Sequence, residues 1–206
     1  QEYWISCNLP GTFNVFNSMA AVGVGHAIGL KPKEIEDGIA ALKAIEGRMT
    51  QVNEGQNFDV IVDYAHTPDS YEKLFKDMSS VVKGRTIVMF GSLGGGDKGK
   101  RPAQGEIASK YADIVVLTEE DDRLEDPDQI MNDIAKGAEK AGKVRDKDLF
   151  MIHDRPEAIK FAFSQAKKGD TVLLLGKGHE KTIDAKGEER PWNEVAEAQK
   201  ALKALK

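Results

Sequence analysis

A single cysteine, Cys7, occurs in the 206 residues, so no intrachain disulfide can form and no cysteine-cluster metal centre can be built. Positive charge is not in excess either. Lys and Arg number 29 against 34 Asp and Glu, a formal net charge of −5, which argues against broad contact with nucleic acid or an anionic membrane and leaves room only for a local basic loop. No uncharged apolar run reaches the roughly 18 residues of a membrane-spanning helix; Val15 to Leu30 comes nearest and is interrupted by Asn17, Ser18 and His26. The opening Gln1-Glu2-Tyr3-Trp4 has no initiator Met and no basic segment leading into an apolar one, so no secretory signal is expected, and the sequence reads as an excerpt from a longer polypeptide. What remains is ordinary: 40% apolar and 31% charged residues, with 20 Gly and 7 Pro, exclude long disorder and collagen and fit a globular protein in a reducing, cytoplasmic setting.

Two kinds of pattern divide the chain. From Phe13 to Leu30 apolar residues recur at three- and four-residue steps, predicting a helix that ends at Gly29. A second helix begins at Pro32, with Glu34 and Glu36 in its first turn and Gly47 as its stop. Two such helices cannot bury their apolar faces alone, so residues 1–46 are expected to complete a core with an upstream part. From Met49 onward, short apolar runs alternate with helical stretches. Phe58–Val62, Thr86–Phe90, Ile114–Leu117, Leu149–Ile152 and Thr171–Leu175 read as strands, and helices are expected at about 68–81, 102–111, 127–141 and 156–167. That order predicts an α/β fold with a doubly wound, mostly parallel, Rossmann-like sheet over 47–206. A hairpin about Lys186-Gly187 and a terminal helix from Trp192 to Leu205 complete the reading.

In open α/β sheets, ligands bind beyond the carboxyl ends of the strands, where loop amides and helix N-termini converge. The chemically unusual residues follow the strands one after another: Asp63 to His66, Gly91 to Arg101, Glu119 to Arg123, Asp154-Arg155 and Gly176 to Glu180. Gly94 to Lys100 meets the first seven positions of a G-x-x-x-x-G-K-[ST] phosphate loop and fails at Arg101, so the expectation is an anion site in which backbone amides, Lys98, Lys100 and Arg101 hold phosphate or carboxylate. Glu120 to Arg123 pairs carboxylates with a guanidinium, an arrangement suited to a zwitterionic amino acid; Glu125 and Asp126 beside Pro127 read instead as a solvated helix start. His66 and His179, each in the loop after a strand, stand where a general base or phosphate ligand would be placed, and His66 and Lys98 are the candidate catalytic residues. His26 and His153 read as structural. No His-Glu group has metal-ligand spacing, so no metal site is expected within the chain.

Leu9-Pro10-Gly11-Thr12-Phe13-Asn14-Val15-Phe16-Asn17, Gly47-Arg48-Met49, Asp63-Tyr64-Ala65-His66-Thr67-Pro68-Asp69, Gly99-Lys100-Arg101-Pro102 and Gly176-Lys177-Gly178-His179-Glu180 together resemble, in order and spacing, the Mur ligases, and within them the branch that adds the third residue of the peptidoglycan stem peptide. The resemblance implies an ATP- and Mg²⁺-dependent ligase acting through an acyl phosphate. Its partners would be a UDP-N-acetylmuramoyl-dipeptide and a diamino acid, meso-diaminopimelate or L-lysine, and it would act as a monomer. It implies that residues 1–46 end a central ATPase domain, whose phosphate loop and Mg²⁺ carboxylates lie upstream, and that 47–206 form the C-terminal domain; alone, the chain would ligate nothing. Carried over residue by residue, Asn14 would contact adenine, Arg48 and Asp63 would hold the ribose and phosphates with Tyr64 and His66 nearby, and Arg101, Glu120, Asp121, Asp122, Arg123, Gly176 and Glu180 would bind the incoming amino acid. Where diaminopimelate-adding members read Asp-Asn-Pro-Arg, this chain reads Glu120-Asp121-Asp122-Arg123. The retained arginine favours diaminopimelate and the added acidity favours lysine; both stay open, with the balance toward diaminopimelate. Gly95 departs from the Asp usual at its position. Folate polyglutamate and cyanophycin ligases share this architecture, and a nucleotide- or amino-acid-binding module is the non-enzyme alternative.

Overall fold

The structure is a computed structural model and describes residues 2–205. Helices α1 (Phe13–Ala27) and α2 (Pro32–Ala41) open it. α2 stops six residues before the expected Gly47 because Leu42 is already extended and residues 42–46 are exposed, with nothing for another turn to pack on. Then follow β1 (Thr50–Gln51), β2 (Asp59–Asp63), α3 (Pro68–Ser79), β3 (Thr86–Phe90), α4 (Lys100–Tyr111), β4 (Ile114–Leu117), α5 (Pro127–Lys140), β5 (Leu149–Met151), α6 (Arg155–Gln165), β6 (Thr171–Leu175), the hairpin β7 (Thr182–Ala185) and β8 (Glu188–Pro191), and α7 (Glu194–Ala204). The helix starts obey local chemistry: Pro68, Pro127 and Pro156 lie in first turns, and Thr67, Asp126, Asp154 and Asn193 cap with their side chains. No helix among the described residues is long and apolar enough to cross a membrane.

Six strands form one sheet in the order β1-β2-β6-β3-β4-β5, parallel except for the edge strand β1, and β7 and β8 pair separately as the antiparallel hairpin. β1 is too short to carry a periodic signal and forms by pairing Thr50 and Gln51 with Val62 and Ile61. Every residue of β3, β4 and β6 is buried, as expected of strands covered on both faces. Alternate side chains divide between two cores. Val88, Phe90, Val115, Leu117, Leu173 and Leu175 pack under α3, α4 and α5, while Ile87, Met89, Val116, Val172 and Leu174 pack under α6 and α7. Each such side chain contributes about 1.5–3 kcal/mol by leaving water.

The insertion of β6 between β2 and β3 decides where chemistry can occur. It sets the loop after β6 beside the loop after β2 on one flank and beside those after β3 and β4 on the other. Segments more than 100 residues apart in sequence thereby share one rim.

Candidate functional site

Asp63 closes β2, and its carboxylate is spent on the backbone: Oδ1 accepts from Ala65 N–H and Oδ2 from Met49 N–H, both at 2.8 Å. Burial pushes its carboxyl up, against the pull of these two amides and of Arg48. Asp63 thus ties the segment carrying Arg48 to the loop carrying Tyr64 and His66. The Tyr64 ring lies between those of His66 and His179, with centroids at 4.7 and 4.8 Å, and the Arg48 guanidinium sits 5.3 Å from its centre. His66 Nδ1 is 2.8 Å from Tyr64 O, while Lys100 Nζ (3.3 Å) and Gln104 Nε2 (3.0 Å) donate to His66 O, so the start of α4 pins the loop. Arg48, Asp63, Tyr64 and His66 line one cavity of 300 Å³ together with Phe13 and Lys73. Asn14 does not face it. Asn14 is buried, donates to Pro10 O at 2.6 Å, accepts from Asn17 at 2.8 Å and lines a neighbouring, mostly apolar cavity of 480 Å³.

The glycine loop holds an anion, but the anion is the chain's own. Gly95, at φ +66°, donates its N–H to Glu125 Oε2 (3.0 Å); Arg101 grips both Glu125 oxygens (2.8 and 2.9 Å), and Lys98 Nζ lies 2.7 Å from Oε1. These cations hold the Glu125 carboxyl well below the usual carboxylate range. Gly94 N–H goes to Asp121 O and Gly99 N–H to Asp97, so three of the loop's amides are already committed. Of the cradle expected from Lys98, Lys100 and Arg101, Lys98 and Arg101 hold Glu125 and Lys100 turns instead to His66 O, and Glu125 is a partner of Arg101 rather than a solvated loop residue. Arg101 has no exposed surface and also reaches Asp133 and Leu93 O; a ligand could reach it only by displacing Glu125. Asp126 caps α5, as its position beside Pro127 suggested.

The loop after β4 meets the loop after β6. Glu120 is buried, its Oε2 has no partner among the described residues, and burial pushes its carboxyl up. A Cβ at Gly176, where φ is +100°, would stand 2.6 Å from that oxygen, so glycine permits the approach. Asp121 Oδ1 accepts from Lys177 Nζ (2.9 Å) and Asp184 N–H (2.9 Å). Glu180 pairs with Lys177 at 2.7 Å and accepts from the Tyr64 hydroxyl at 3.3 Å, which links this acidic corner to the 300 Å³ cavity. Arg123 is exposed, held by its backbone N–H to Asp184 O (3.1 Å), and makes no ion pair among the described residues. Asp122 faces away from the others toward His153 (3.0 Å).

Three supports carried little signal in the sequence. Lys177, inside a glycine-flanked motif, is 1% exposed. Arg155 is fully buried and donates to Glu194, Glu119 O and Leu175 O, fixing the ends of β4 and β6 together. Glu119, Asp122 and His153 bring three potential ligand atoms within 4.8 Å of one another, which corrects the expectation that no such group exists; their sequence spacing hid it because they come from two different strand ends. Glu119 Oε1 is, however, already held by the Arg190 guanidinium and by the Arg155 backbone N–H, so donors of the chain itself close the trio.

Residues 47–178 match the family described as Mur ligase, glutamate ligase domain. The chain is 46% identical over 197 residues to the UDP-N-acetylmuramyl-tripeptide synthetase of Roseiflexus sp. (strain RS-1), covering 96% of this chain and 39% of that protein. It is 40% identical over 178 residues to the UDP-N-acetylmuramoyl-L-alanyl-D-glutamate--2,6-diaminopimelate ligase 1 of Clostridium acetobutylicum, covering 85% of this chain and 36% of that protein. A solved UDP-N-acetylmuramoyl-L-alanyl-D-glutamate--2,6-diaminopimelate ligase superposes with a TM-score of 0.72 at 35% identity, over 98% of this chain and 40% of that one. The chain thus spans about two fifths of the length of the relatives it matches. With the parallel sheet, the shared rim and this match over most of its length, the chain belongs to the Mur ligase family.

Proposed function

We propose that this chain supplies the amino-acid acceptor side and part of the nucleotide side of an ATP-dependent ligase that joins a diamino acid to UDP-N-acetylmuramoyl-L-Ala-D-Glu. One observation carries the reading: the Tyr64 hydroxyl, on the wall of the cationic and aromatic cavity, reaches Glu180 in the acidic corner at 3.3 Å. A nucleotide phosphate beside Arg48 and His66 would then lie next to an amine held by carboxylates, as amide formation through an acyl phosphate requires. In that reaction ATP phosphorylates the dipeptide carboxylate, and the incoming amine attacks the carbonyl and expels phosphate.

The residues divide the work. Arg48 faces the cavity with a guanidinium that makes no ion pair among the described residues, available to phosphate oxygens. Asp63 orients Arg48 through Met49, and Lys100 and Gln104 hold His66. Glu120 and Glu180 offer acceptor oxygens to an ammonium group, and Arg123, free at the rim, suits a distal carboxylate, which favours diaminopimelate over lysine. Mg²⁺ does not fit Asp63, Glu119 or Asp122: both Asp63 oxygens are engaged by amides, and Glu119 and Asp122 are engaged by Arg190 and His153.

The same reading assigns residues 1–46 to the end of an ATPase domain and 47–206 to the C-terminal domain. Exposed Trp4, Val15, Phe16, Met19 and Val24, together with the 480 Å³ apolar cavity beside α2, support an origin in a larger core. It also includes a cytoplasmic location and a monomeric enzyme. Incubating the complete gene product with ATP, UDP-N-acetylmuramoyl-L-Ala-D-Glu and either diaminopimelate or lysine tests it. A tripeptide product by mass spectrometry, with ADP and phosphate in equal amounts, is expected; phosphate release independent of any amino acid would contradict it, and tight binding of ATP or amino acid to this chain without ligation would favour the binding module.

A further inference from the structure

The loop after β6 turns back on itself at Gly176 and Gly178, both at positive φ, and this drives the Lys177 side chain inward until only 1% of the residue is exposed. A lysine that deep is costly unless its donors are used. Two of them are: Nζ lies 2.9 Å from Asp121 Oδ1 and 2.7 Å from Glu180 Oε2. Asp121 also accepts from Asp184 N–H at 2.9 Å, so one carboxylate joins the loop after β4, the loop after β6 and the hairpin. Glu120, the third carboxylate, has no such partner for Oε2 among the described residues and sits against Gly176. The corner therefore contains an ammonium of the chain's own that neutralises one carboxylate of the pair it bridges.

We propose that Lys177 is the positioning residue of the acceptor site: its ammonium holds Asp121 and Glu180 at a fixed separation and leaves that pair with charge for one further ammonium, that of a diamino acid. This rests on the ligase reading for the identity of the acceptor, but the positioning itself does not. Lys177→Met keeps the side chain's length and apolar stem and removes the bridge; Lys177→Arg restores a cation that can span both carboxylates.

Two measurements separate the proposal from the reading beneath it. In the 206-residue chain, hydrogen exchange at the Asp184 amide should rise about tenfold or more in Lys177→Met, with the Val172 and Leu174 amides unchanged and with most of the protection returned in Lys177→Arg. In the complete gene product, Lys177→Met should raise KM for the diamino acid about tenfold or more, leave KM for ATP within about twofold, and be rescued in part by Lys177→Arg. Unchanged exchange at Asp184 overturns the positioning. A joint rise of both KM values overturns it too, since that marks a structural role with no preference for the acceptor. If the complete gene product ligates no amino acid at all, the ligase reading fails, and the exchange data still decide whether Lys177 holds the two loops.

Discussion

Replacing Arg155 by methionine removes a guanidinium that has no exposed surface and leaves four acceptors behind. Arg155 donates through Nε and NH2 to Glu194, through NH1 to Glu119 O at 2.8 Å and through NH2 to Leu175 O at 2.8 Å. Without it, the Glu194 carboxylate stays fully buried with only Trp192 Nε1, at 2.7 Å, as a side-chain donor among the described residues. Breaking a buried pair in this way costs about 3–5 kcal/mol, mostly because the surviving charge cannot reach water. At roughly 2–4 °C per kcal/mol for a chain of this size, Arg155→Met should melt about 6–20 °C below the parent in calorimetry. Arg155→Lys should fall between the two, since a point charge cannot reproduce a planar fork. The double variant Arg155→Met with Glu194→Leu should recover at least about 1 kcal/mol relative to Arg155→Met, because no buried charge is then left over. An Arg155→Met protein within about 1 kcal/mol of the parent in urea titration would refute the reasoning, and with it the claim that this residue fastens the ends of β4 and β6.

Gly176→Ala should destabilise the chain by about 1–3 kcal/mol, because it adds a Cβ at φ +100° and drives it against Glu120; urea titration reads this, and a neutral substitution would mean the loop can relax. Glu125→Gln concerns a carboxyl held well below its ordinary pKa by Arg101 and Lys98. The stabilisation is fully present above the unfolded value of about 4.3 and is lost as pH falls toward the folded one, so the stability gap between parent and variant should be flat from neutral pH to about pH 5 and shrink below it. Glu120 has the opposite sign. Its carboxyl is raised by burial, so the destabilisation from its charge grows as pH rises through the folded value, and Glu120→Gln should stabilise by on the order of 1 kcal/mol at pH 8 and by less at pH 5 in thermal melts.

The parallel strands were legible because β3, β4 and β6 are apolar throughout and because β3 and β4 are each followed by a helix with a proline in its first turn. The common rim was legible for the same reason, since it depends on strand direction and tolerates an error of a residue or two. β1 was not, because two residues carry no period, and the end of α2 was not, because a lack of packing partners leaves no mark in the local pattern. Within the site, Tyr64, His66 and Glu180 could be picked out as chemically unusual residues in the loops that follow strands. What spacing could not express was which charges cancel. Glu125 filling the glycine loop, Lys177 reaching Asp121, and Glu119 held by Arg190 each join segments separated by 24 to 71 positions. Such pairings depend on the strand order, which a one-dimensional pattern does not contain.

A crystal structure of the complete gene product with a non-hydrolysable ATP analogue and meso-diaminopimelate tests the central claim most directly. The diamino acid should lie between Arg123 and Glu180, with one ammonium within hydrogen-bonding distance of Glu120 or Glu180 and the analogue's phosphates near Arg48 and His66. Diaminopimelate bound away from these loops, or the two ligands separated by the sheet, would contradict the account.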